Sequence, residues 1–386
     1  MLINTIKKYA HNIKKIPGRR RKAKGLPAAR LLLLCLLFSF LLSGCGDKGV
    51  EPSASSSENT GRFDKCAYYN FTLSMHDPEG SNNALFYENW AKTLKEQSEG
   101  HIRIKLYYDG SLASASEVAD AVKSGAVDIG WIFTTFYDNE FPLTDITKFP
   151  FQGFGEGVST TETLWDLYEK YDELRSEWSD YELLFLYANP GYLFASDTEI
   201  SLPWDLSGLV LRTSTGPVVD LINSQGGSAV VMDPSEICEA LEQHVINGFV
   251  FEPAGIMNYN VQNAAKLYYT TNRFFNTSIA LVMNKDKWSR LPDELKEIFI
   301  NNSGREGSIL AAQDFEDTAD ASVEEIEKAG NTWVDLTGGE IALFRRETEK
   351  IAEDWYEKYS VDGFDYRSYA EEAFSIVNSY IRDDVQ

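Results

Sequence analysis

Residues 114–130 read SASEVADAVKSGAVDIG, and residues 233–249 follow the same pattern with DPSEICEALEQHVINGF. Each segment opens with a small polar residue three positions before a glutamate, a combination that is typical of a helix N-terminus. Small and aliphatic residues then fall on one face of each helix, and an apolar segment of strand length follows. This echo predicts two α/β lobes of similar construction with a cleft between them. The alternative is a chance resemblance of two short amphipathic helices.

The surrounding sequence alternates apolar segments of strand length with amphipathic helical segments. The predicted strands cover residues 69–75, 102–108, 129–133, 183–187, 210–213, 229–232, 249–251 and 280–283. The predicted helices include 84–98 and 160–171, and the C-terminal part becomes almost wholly helical, at 308–328, 339–359 and 366–381. Strands that alternate with helices indicate the α/β fold class. We expect Gly304 and Gly307 to bend or break the chain before residue 308.

The composition of the chain limits the classes of function that it can have. The 386 residues carry a net charge of -23, and such an acidic chain repels nucleic acid and anionic surfaces, so we exclude nucleic acid as a partner. Cys66 and Cys238 can pair in an oxidising compartment, although two free, part-buried thiols are the favoured state. No CxxC, HExxH or GxSxG motif occurs. The sequence therefore carries no signature of a metal site, a cofactor or a catalytic nucleophile.

The first 44 residues combine ten lysine and arginine residues with no acidic residue, and they include an apolar run at 31–42. This run is shorter than the roughly 20 residues of a membrane-spanning helix and suits a signal peptide. The tetrapeptide LSGC at 42–45 resembles a bacterial lipobox, which predicts a lipoprotein signal peptide at 1–44 and a lipidated Cys45. Residues 45–62 are expected to form a flexible linker. The alternatives are an uncleaved anchor and a chance cysteine.

Candidate ligand-binding residues follow from the ends of the predicted strands. Ligands of open α/β sheets bind beyond the carboxyl ends of strands, and both echo segments lead into such an end. The residues at these ends are Trp131, Phe133 and Phe136 in the first case, and Phe251 and Glu252 in the second. Arg212 ends the apolar strand LVLR, where a guanidinium can grip a carboxylate with two parallel hydrogen bonds. The alternatives are core positions for the aromatic residues and a surface ion pair for Arg212.

Four longer segments carry a family resemblance. They are GHIRIKLYYDGSLASASEVADAVKSGAVDIG at 100–130, LPWDLSGLVLRTSTG at 202–216, GGSAVVMDPSEICEALEQHVINGFVFEP at 226–253 and TTNRFFNTSIALVMNKDKWSRLPDELKE at 270–297. Their order and spacing resemble the substrate-binding proteins of tripartite ATP-independent periplasmic (TRAP) transporters, of the dicarboxylate-binding (DctP-like) family. The resemblance covers about 63–333. It implies a two-lobed clamshell like that of periplasmic binding proteins, with mixed sheets flanked by helices, crossing strands between the lobes and a long C-terminal helix. We expect lobe I at 63–189 plus 279–316, and lobe II with the C-terminal helices at 190–278 plus 317–386.

The resemblance also implies a function. An extracytoplasmic lipoprotein of this kind captures a small organic acid by clamshell closure and delivers it to the membrane subunits of a TRAP permease. Arg212 takes the position of the family's carboxylate-binding arginine. We expect a monomer that is held to the membrane through its lipid. A membrane sensor with the same binding chemistry is the first alternative, and a lipid-anchored enzyme is less favoured because only His76 is a candidate base in the cleft.

Departures from the family pattern concern the ligand. Polar, acidic or basic groups line the pocket of sialic-acid-binding members of the family. Here His76, Tyr192 and Phe251 take the places of three such groups, and Phe133 and Phe136 lie near the places of others. This cleft is therefore expected to be more aromatic, and a monocarboxylate with an apolar or aromatic body is expected to fit better than sialic acid. Glu252 either faces the cleft, where it accepts a hydrogen bond from a hydroxyl or amine, or points outward. The sequence leaves open which acid binds and whether a metal ion accompanies it.

Overall fold

The computed structural model describes residues 63, 66–232, 234–269, 274–361 and 363–383. Over this part of the chain the strands are β1 Tyr69–Ser74, β2 Ile102–Tyr107, β3 Ile129–Phe133, β4 Tyr181–Ala188, β5 Leu193–Ser196, β6 Val210–Arg212, β7 Ser228–Val230, β8 Gly248–Phe251, β9 Leu267–Tyr269, β10 Ser278–Asn284 and β11 Thr332–Val334. The helices are α1 Asn82–Gln97, α2 Val118–Lys123, α3 Gly157–Lys170, α4 Asp172–Glu177, α5 Pro217–Ser224, α6 Ile237–Glu242, α7 Pro253–Asn258, α8 Lys285–Ser289, α9 Asp293–Ile300, α10 Gly304–Lys328, α11 Gly338–Tyr359 and α12 Tyr366–Asp383. None of these helices combines the length and apolar character that a membrane span requires. The predicted signal peptide, the lipidated Cys45 and the linker lie outside the described residues.

The first sheet has the strand order β2-β1-β3-β10-β4. β1 pairs in parallel with β2 and β3, whereas β10 runs antiparallel to both β3 and β4. Helices α1 and α2 join the parallel strands, because a parallel crossover needs a connection of helix length. Every residue of β3 is buried, as expected for a central strand that is covered on both faces.

The second sheet has the strand order β11-β9-β5-β8-β6-β7. β6 pairs in parallel with β7 and β8, and β5 runs antiparallel to β8 and β9. The series β2-β1-β3-β10 of the first sheet therefore recurs as β7-β6-β8-β5, with the same relative strand directions. Helices α5 and α6 take the places of α1 and α2. This repeated topology confirms the predicted α/β fold with two similar lobes.

The echo extends to the backbone of the turns after α2 and α6. Gly125 has φ 77°, and His244, its equivalent in the echo, has φ 56°. Both residues thus adopt the left-handed conformation that commonly ends a helix. The N–H of Gly125 donates to the carbonyl of Val122 at 3.0 Å, and the N–H of His244 donates to the carbonyl of Leu241 at 3.0 Å. A non-glycine residue rarely adopts this conformation, so the turn itself, rather than the residue type, is what the two segments share.

Two extended segments connect the sheets. The first leads from β4 to β5 and the second leads into β10. The N–H of Asn189 donates to the carbonyl of Thr277 at 3.0 Å, and the N–H of Tyr192 donates to the carbonyl of Phe275 at 2.8 Å. In return, the N–H of Thr277 donates to Oδ1 of Asn189 at 2.6 Å. The two segments therefore pair where they pass between the sheets, as expected for crossing strands that join two lobes.

Helix α10 is the long helix of the fold, with 25 residues. Its N-terminal half packs into the core of the first sheet, and its C-terminal end packs into the core of the second. Gly304 lies at the start of the helix with φ 65°, so the chain bends there, whereas the prediction of a break at Gly307 is wrong, because Gly307 lies within the helix. A Cβ atom on Gly307 would lie 2.9 Å from Cε1 of Phe185. This glycine therefore allows α10 to lie close against β4.

Helices α11 and α12 enclose a further core with the segment that follows β3. Its buried aromatic side chains include Phe149, Trp355, Tyr366 and Tyr369. Helix α12 packs against α3, and α11 packs against α5. The C-terminal helices thus contact elements that flank both sheets. The residue boundaries of the two lobes stay predictions.

Candidate functional site

Arg212 ends strand β6 and is buried, with 6% of its surface exposed. Its Nη1 donates to the carbonyl of Val250 at 3.0 Å, and its Nε and Nη2 each donate to the carbonyl of Met232 at 3.4 Å. The guanidinium carbon lies 4.6 Å from the ring centroid of Phe251. The carbonyl oxygens and the aromatic face orient a cation that is almost removed from water. Arg212 is therefore a buried residue, not a surface one.

Glu252 follows β8 and directly precedes helix α7. It is 6% exposed, so of the two orientations left open by the sequence it has the inward one. Oε1 lies so close to Gly255 that a Cβ atom there would collide with it, whereas Oε2 has no hydrogen-bond partner among the described residues. Burial raises the pKa of Glu252 to about 8, and the negative charge of Asp77 adds to this, while the N–H of Gly255 and the charge of Arg212 oppose it. The carboxyl group consequently holds a proton for much of the time at neutral pH.

Tyr192 lies on the first crossing segment, near enough to Arg212 and Glu252 for both to affect its pKa. Its hydroxyl accepts a hydrogen bond from Oγ1 of Thr277 at 3.0 Å, and its ring stacks on Phe275 with centroids 4.8 Å apart. Burial raises the pKa of Tyr192, although the charge of Arg212 lowers it. The hydroxyl therefore stays protonated at neutral pH, and it keeps a proton that it can donate to a ligand.

The other predicted residues form an aromatic cluster at the ends of β1 and β3. The His76 ring stacks on Trp131 at 4.7 Å and meets the rings of Phe133 and Phe136 edge-on at 5.6 and 5.3 Å. The indole N–H of Trp131 donates to the hydroxyl of Tyr187 at 2.9 Å, which fixes the ring that supports His76. The structure thus brings together four residues that the sequence predicted separately.

The two groups of residues lie at strand ends of the two sheets that meet where the sequence predicts the cleft. Asp77, which directly follows His76 at the end of β1, is close enough to Glu252 for its charge to raise the pKa of Glu252. Oγ1 of Thr215, just after β6, donates to the carbonyl of Thr135, just after β3, at 3.1 Å. Strand ends of the first sheet therefore meet strand ends of the second, where ligands of α/β proteins bind.

Sequence reasoning missed two features of this cleft. One is Asp77, whose only signal is its position beside His76. The other is an ion pair between Nζ of Lys148 and Oδ1 of Asp145, 2.8 Å apart, with side-chain exposures of 0% and 3%. Nζ of Lys148 also donates to the carbonyl of Thr134 at 2.9 Å and to Oγ1 of Thr215 at 3.1 Å. Burial lowers the pKa of Lys148 and raises that of Asp145, and each partner's charge opposes the other's shift.

Several buried polar atoms at the strand ends lack a hydrogen-bond partner within the described part of the chain. They include Oγ of Ser74, which ends β1, Oγ1 of Thr213, which follows β6, and Oε2 of Glu252, which follows β8. Buried polar atoms are nearly always hydrogen-bonded in folded proteins. Hydroxyl and carboxyl groups in this state can form hydrogen bonds with a ligand or with water.

Other sites are less suited to a solute. The described residues contain no group of three or more His, Cys, Asp or Glu side chains that could hold a metal ion. Cys66 and Cys238 are free, half-buried thiols. A cavity of about 40 Å³ lies in the core of the second sheet, where Leu206, Leu211 and Phe344 contribute to its lining. No charged side chain from the described ranges lines this cavity, so a carboxylate would be buried there without a partner, and the candidate site is the predicted cleft.

The fold and the cleft define a class, that of two-lobed solute-binding proteins with an oriented, buried arginine between the lobes. The model of the bacterial extracellular solute-binding proteins of family 7 (DctP) matches residues 73–359, and the chain belongs to this family. The prediction of a TRAP substrate-binding protein is thereby confirmed. The family comprises extracellular solute-binding proteins, which agrees with a role outside the cytoplasm.

Individual relatives are distant in sequence but similar in fold. A solute-binding protein of Chromohalobacter salexigens is 23% identical over 67% of this chain and 76% of its own length. The 2,3-diketo-L-gulonate-binding periplasmic protein of Escherichia coli is 21% identical over 60% of this chain and 71% of its own. A TRAP solute-binding protein of Rhodoferax ferrireducens, crystallised with copurified benzoate, superposes with a TM-score of 0.75 at 22% identity, over 82% of this chain and 99% of that one. A marine metagenome protein specific for aromatic acids, in complex with 3-hydroxybenzoate, has a TM-score of 0.75 at 23% identity, over 81% of this chain and 99% of that one.

Proposed function

We propose that the chain captures a small organic acid with an aromatic or apolar body and delivers it to the membrane subunits of a TRAP permease. The observation that carries this proposal is the buried guanidinium of Arg212, which lies on the ring of Phe251. A carboxylate pairs with such a guanidinium through two parallel hydrogen bonds, while an apolar body packs against the neighbouring rings. The benzoate and 3-hydroxybenzoate complexes of two structurally similar proteins support an aromatic acid.

Capture proceeds by closure of the two lobes over the acid. Arg212 and Phe251 belong to the second sheet, whereas His76 and Phe136 lie at the ends of strands of the first. An acid that touches both groups binds the closed form more tightly than the open form, and this difference alone drives closure. The crossing segments at 189–192 and 274–277 are the hinge of this motion, and the lobes are those predicted from the sequence.

We infer transport rather than sensing or catalysis. The relatives are solute-binding proteins, and the ring of His76, the one candidate base, packs among Trp131, Phe133 and Phe136. That position suits contact with an aromatic ligand better than proton transfer to it. Nuclear magnetic resonance spectra of the bound acid over a day should show an unchanged compound. Conversion of the acid would favour an enzyme, and a neighbouring kinase gene without permease genes would favour a sensor.

Replacing Phe251 with asparagine tests the aromatic pocket. We expect the variant to bind benzoate about ten-fold to a hundred-fold more weakly, because the ring that packs against the ligand and the guanidinium is lost. Propanoate, which has little surface to pack there, should lose less than about three-fold. Isothermal titration calorimetry measures both affinities. Tyr68→Asn, at an aromatic residue that is 60% exposed, is the control and should leave both unchanged. Equal losses for the two acids would argue against an aromatic pocket.

Replacing Cys45 with serine tests the lipid anchor. In the natural bacterial host we expect the unmodified chain in the membrane fraction, with the mass of a lipidated protein that begins at residue 45. Cys45→Ser should move the protein to the soluble extracytoplasmic fraction or leave its leader uncleaved, because the lipidated thiol is gone. The control is Cys35→Ser, within the predicted leader, which should keep the anchored form. An anchored, lipidated Cys45→Ser protein would contradict the lipobox.

A further inference from the structure

The cleft has a second polar group besides Arg212, and it is acidic. The Oε1 atom of Glu252 lies against the start of helix α7, next to Gly255. The Oε2 atom, in contrast, is buried and without a hydrogen-bond partner in the described residues. An acceptor in this state is costly unless a donor reaches it. Helix α7 also carries Ala254 into the core of the first sheet, so Glu252 lies where the two lobes meet.

Asp77 brings a second carboxyl group to the same place from the other lobe. Its Oδ2 accepts hydrogen bonds from Oγ of Ser81 at 3.3 Å and from Nδ2 of Asn83 at 2.9 Å, which fix the side chain after β1. The carboxyl groups of Asp77 and Glu252 are near enough to interact electrostatically. Like charges that approach in a poorly solvated site repel, and either a proton or a donor from the ligand relieves this repulsion.

The charges around Glu252 indicate what kind of donor fits. The charges of Asp77, after β1, and of Arg212, at the end of β6, act on the pKa of Glu252 in opposite directions, and Glu252 affects the pKa of Tyr192 on the crossing segment. A ligand carboxylate pairs with Arg212. The carboxyl groups of Glu252 and Asp77 then interact with the remaining groups of the ligand. An acid without a hydroxyl or amino group has no hydrogen-bond donor to offer these carboxyl groups. A hydroxyl or ammonium group a few atoms from the carboxylate donates directly to the unpartnered oxygen.

From this geometry we propose that Glu252 and Asp77 select acids that carry a hydrogen-bond donor near the carboxylate, so that the ligand is a hydroxy acid or an amino acid with an apolar or aromatic body. Arg212 binds the carboxylate, Oε2 of Glu252 accepts from the donor, and Asp77 stabilises the donor's partial or full positive charge. The inference rests on the proposed function and narrows its ligand class.

Three acids with one carbon skeleton test the inference. Phenylacetate has no donor, mandelate has a hydroxyl group and phenylglycine has an ammonium group on the same carbon atom. Propanoate, lactate and alanine form a matching aliphatic series. We expect mandelate or phenylglycine to bind the full mature chain about ten-fold to a hundred-fold more tightly than phenylacetate, as measured by calorimetry. The same order should hold within the aliphatic series.

Two variants separate the donor types. Glu252→Leu removes the acceptor and should bring the three aromatic acids within about three-fold of one another. Glu252→Gln keeps an acceptor oxygen but cannot ionise to meet an ammonium group, so a preference for mandelate should survive, whereas a preference for phenylglycine should fall about ten-fold. The control is Glu79→Gln, at an exposed carboxyl two residues after Asp77, which should change neither preference.

The outcomes of these titrations test the inference about Glu252 separately from the proposed function. If the donor-bearing acids bind more tightly and Glu252→Leu removes the difference, the inference is supported. If phenylacetate and propanoate bind as well as their hydroxy and amino counterparts, the inference is overturned while the proposed function stands. If none of the six acids binds, both the proposed function and the inference are overturned.

Discussion

Replacement of Arg212 by alanine should abolish tight binding of the acid. The ligand carboxylate would then be buried without its partner, which costs about 3–5 kcal/mol and weakens binding several hundred-fold or more. The affinity of Arg212→Lys should lie between those of the unmodified protein and Arg212→Ala, because an ammonium group keeps the charge but cannot form two parallel hydrogen bonds. Calorimetry with benzoate or mandelate measures the three affinities.

A control variant separates binding from folding in this experiment. Arg103 is an exposed arginine whose guanidinium lies 5.1 Å from the ring centroid of Tyr68, and Arg103→Ala should bind acids normally. Arg212 donates to the carbonyl of Val250 within the second sheet, so the thermal unfolding of Arg212→Ala must also be recorded. A variant that stays folded and binds the acid with near-normal affinity would contradict the assignment of Arg212 as the carboxylate anchor.

The repeated fold could be predicted because its signal is local. The glutamates Glu117 and Glu236 align two segments that the structure places between equivalent strands. Glu117 even forms half of the predicted capping box, since its Oε2 accepts a hydrogen bond from the backbone N–H of Ser114 at 3.4 Å. The missed strands β5, β9 and β11 have only three or four residues each. The strands β6 and β7 are as short but were predicted, so length alone does not decide; β5, β9 and β11 become strands because neighbouring strands pair with them.

Those residues of the candidate site that lie at the ends of predicted strands could be predicted from the sequence. Arg212, Phe251 and Glu252 follow directly from the topology of the second sheet, because residues at the carboxyl ends of parallel strands meet at one edge. The burial of Glu252 was not predictable, since it depends on the first lobe packing over it. Lys148 was missed for a related reason. Its segment, TDITK at 144–148, has the composition of a surface turn, and only tertiary packing removes it from water.

Replacement of Lys148 by methionine should have the second large effect, this time on stability. Lys148 and Asp145 form a buried pair with side-chain exposures of 0% and 3%, and removal of one partner leaves an uncompensated charge that costs about 3–5 kcal/mol. Chemical denaturation at pH 7 measures the free energy of unfolding. The control is Lys170→Met, which breaks an ion pair with Glu372 in which Lys170 is 55% exposed. That change should cost less than about 1 kcal/mol.

A second change and the pH distinguish lost charge compensation from lost packing. If the destabilisation comes from the unpaired carboxylate, the double variant Lys148→Met, Asp145→Asn should regain much of the stability, because no charge is then buried. Burial already raises the pKa of Asp145, and without Lys148 this pKa rises further. A carboxyl whose pKa is raised by folding stabilises the folded chain when it is protonated, and it loses this contribution as the pH rises through the folded-state pKa. The loss of unfolding free energy in Lys148→Met should therefore shrink as the pH falls from 8 to 5. A loss that is independent of pH and persists in the double variant would show that the lysine acts through its packing and its hydrogen bonds to Thr134 and Thr215.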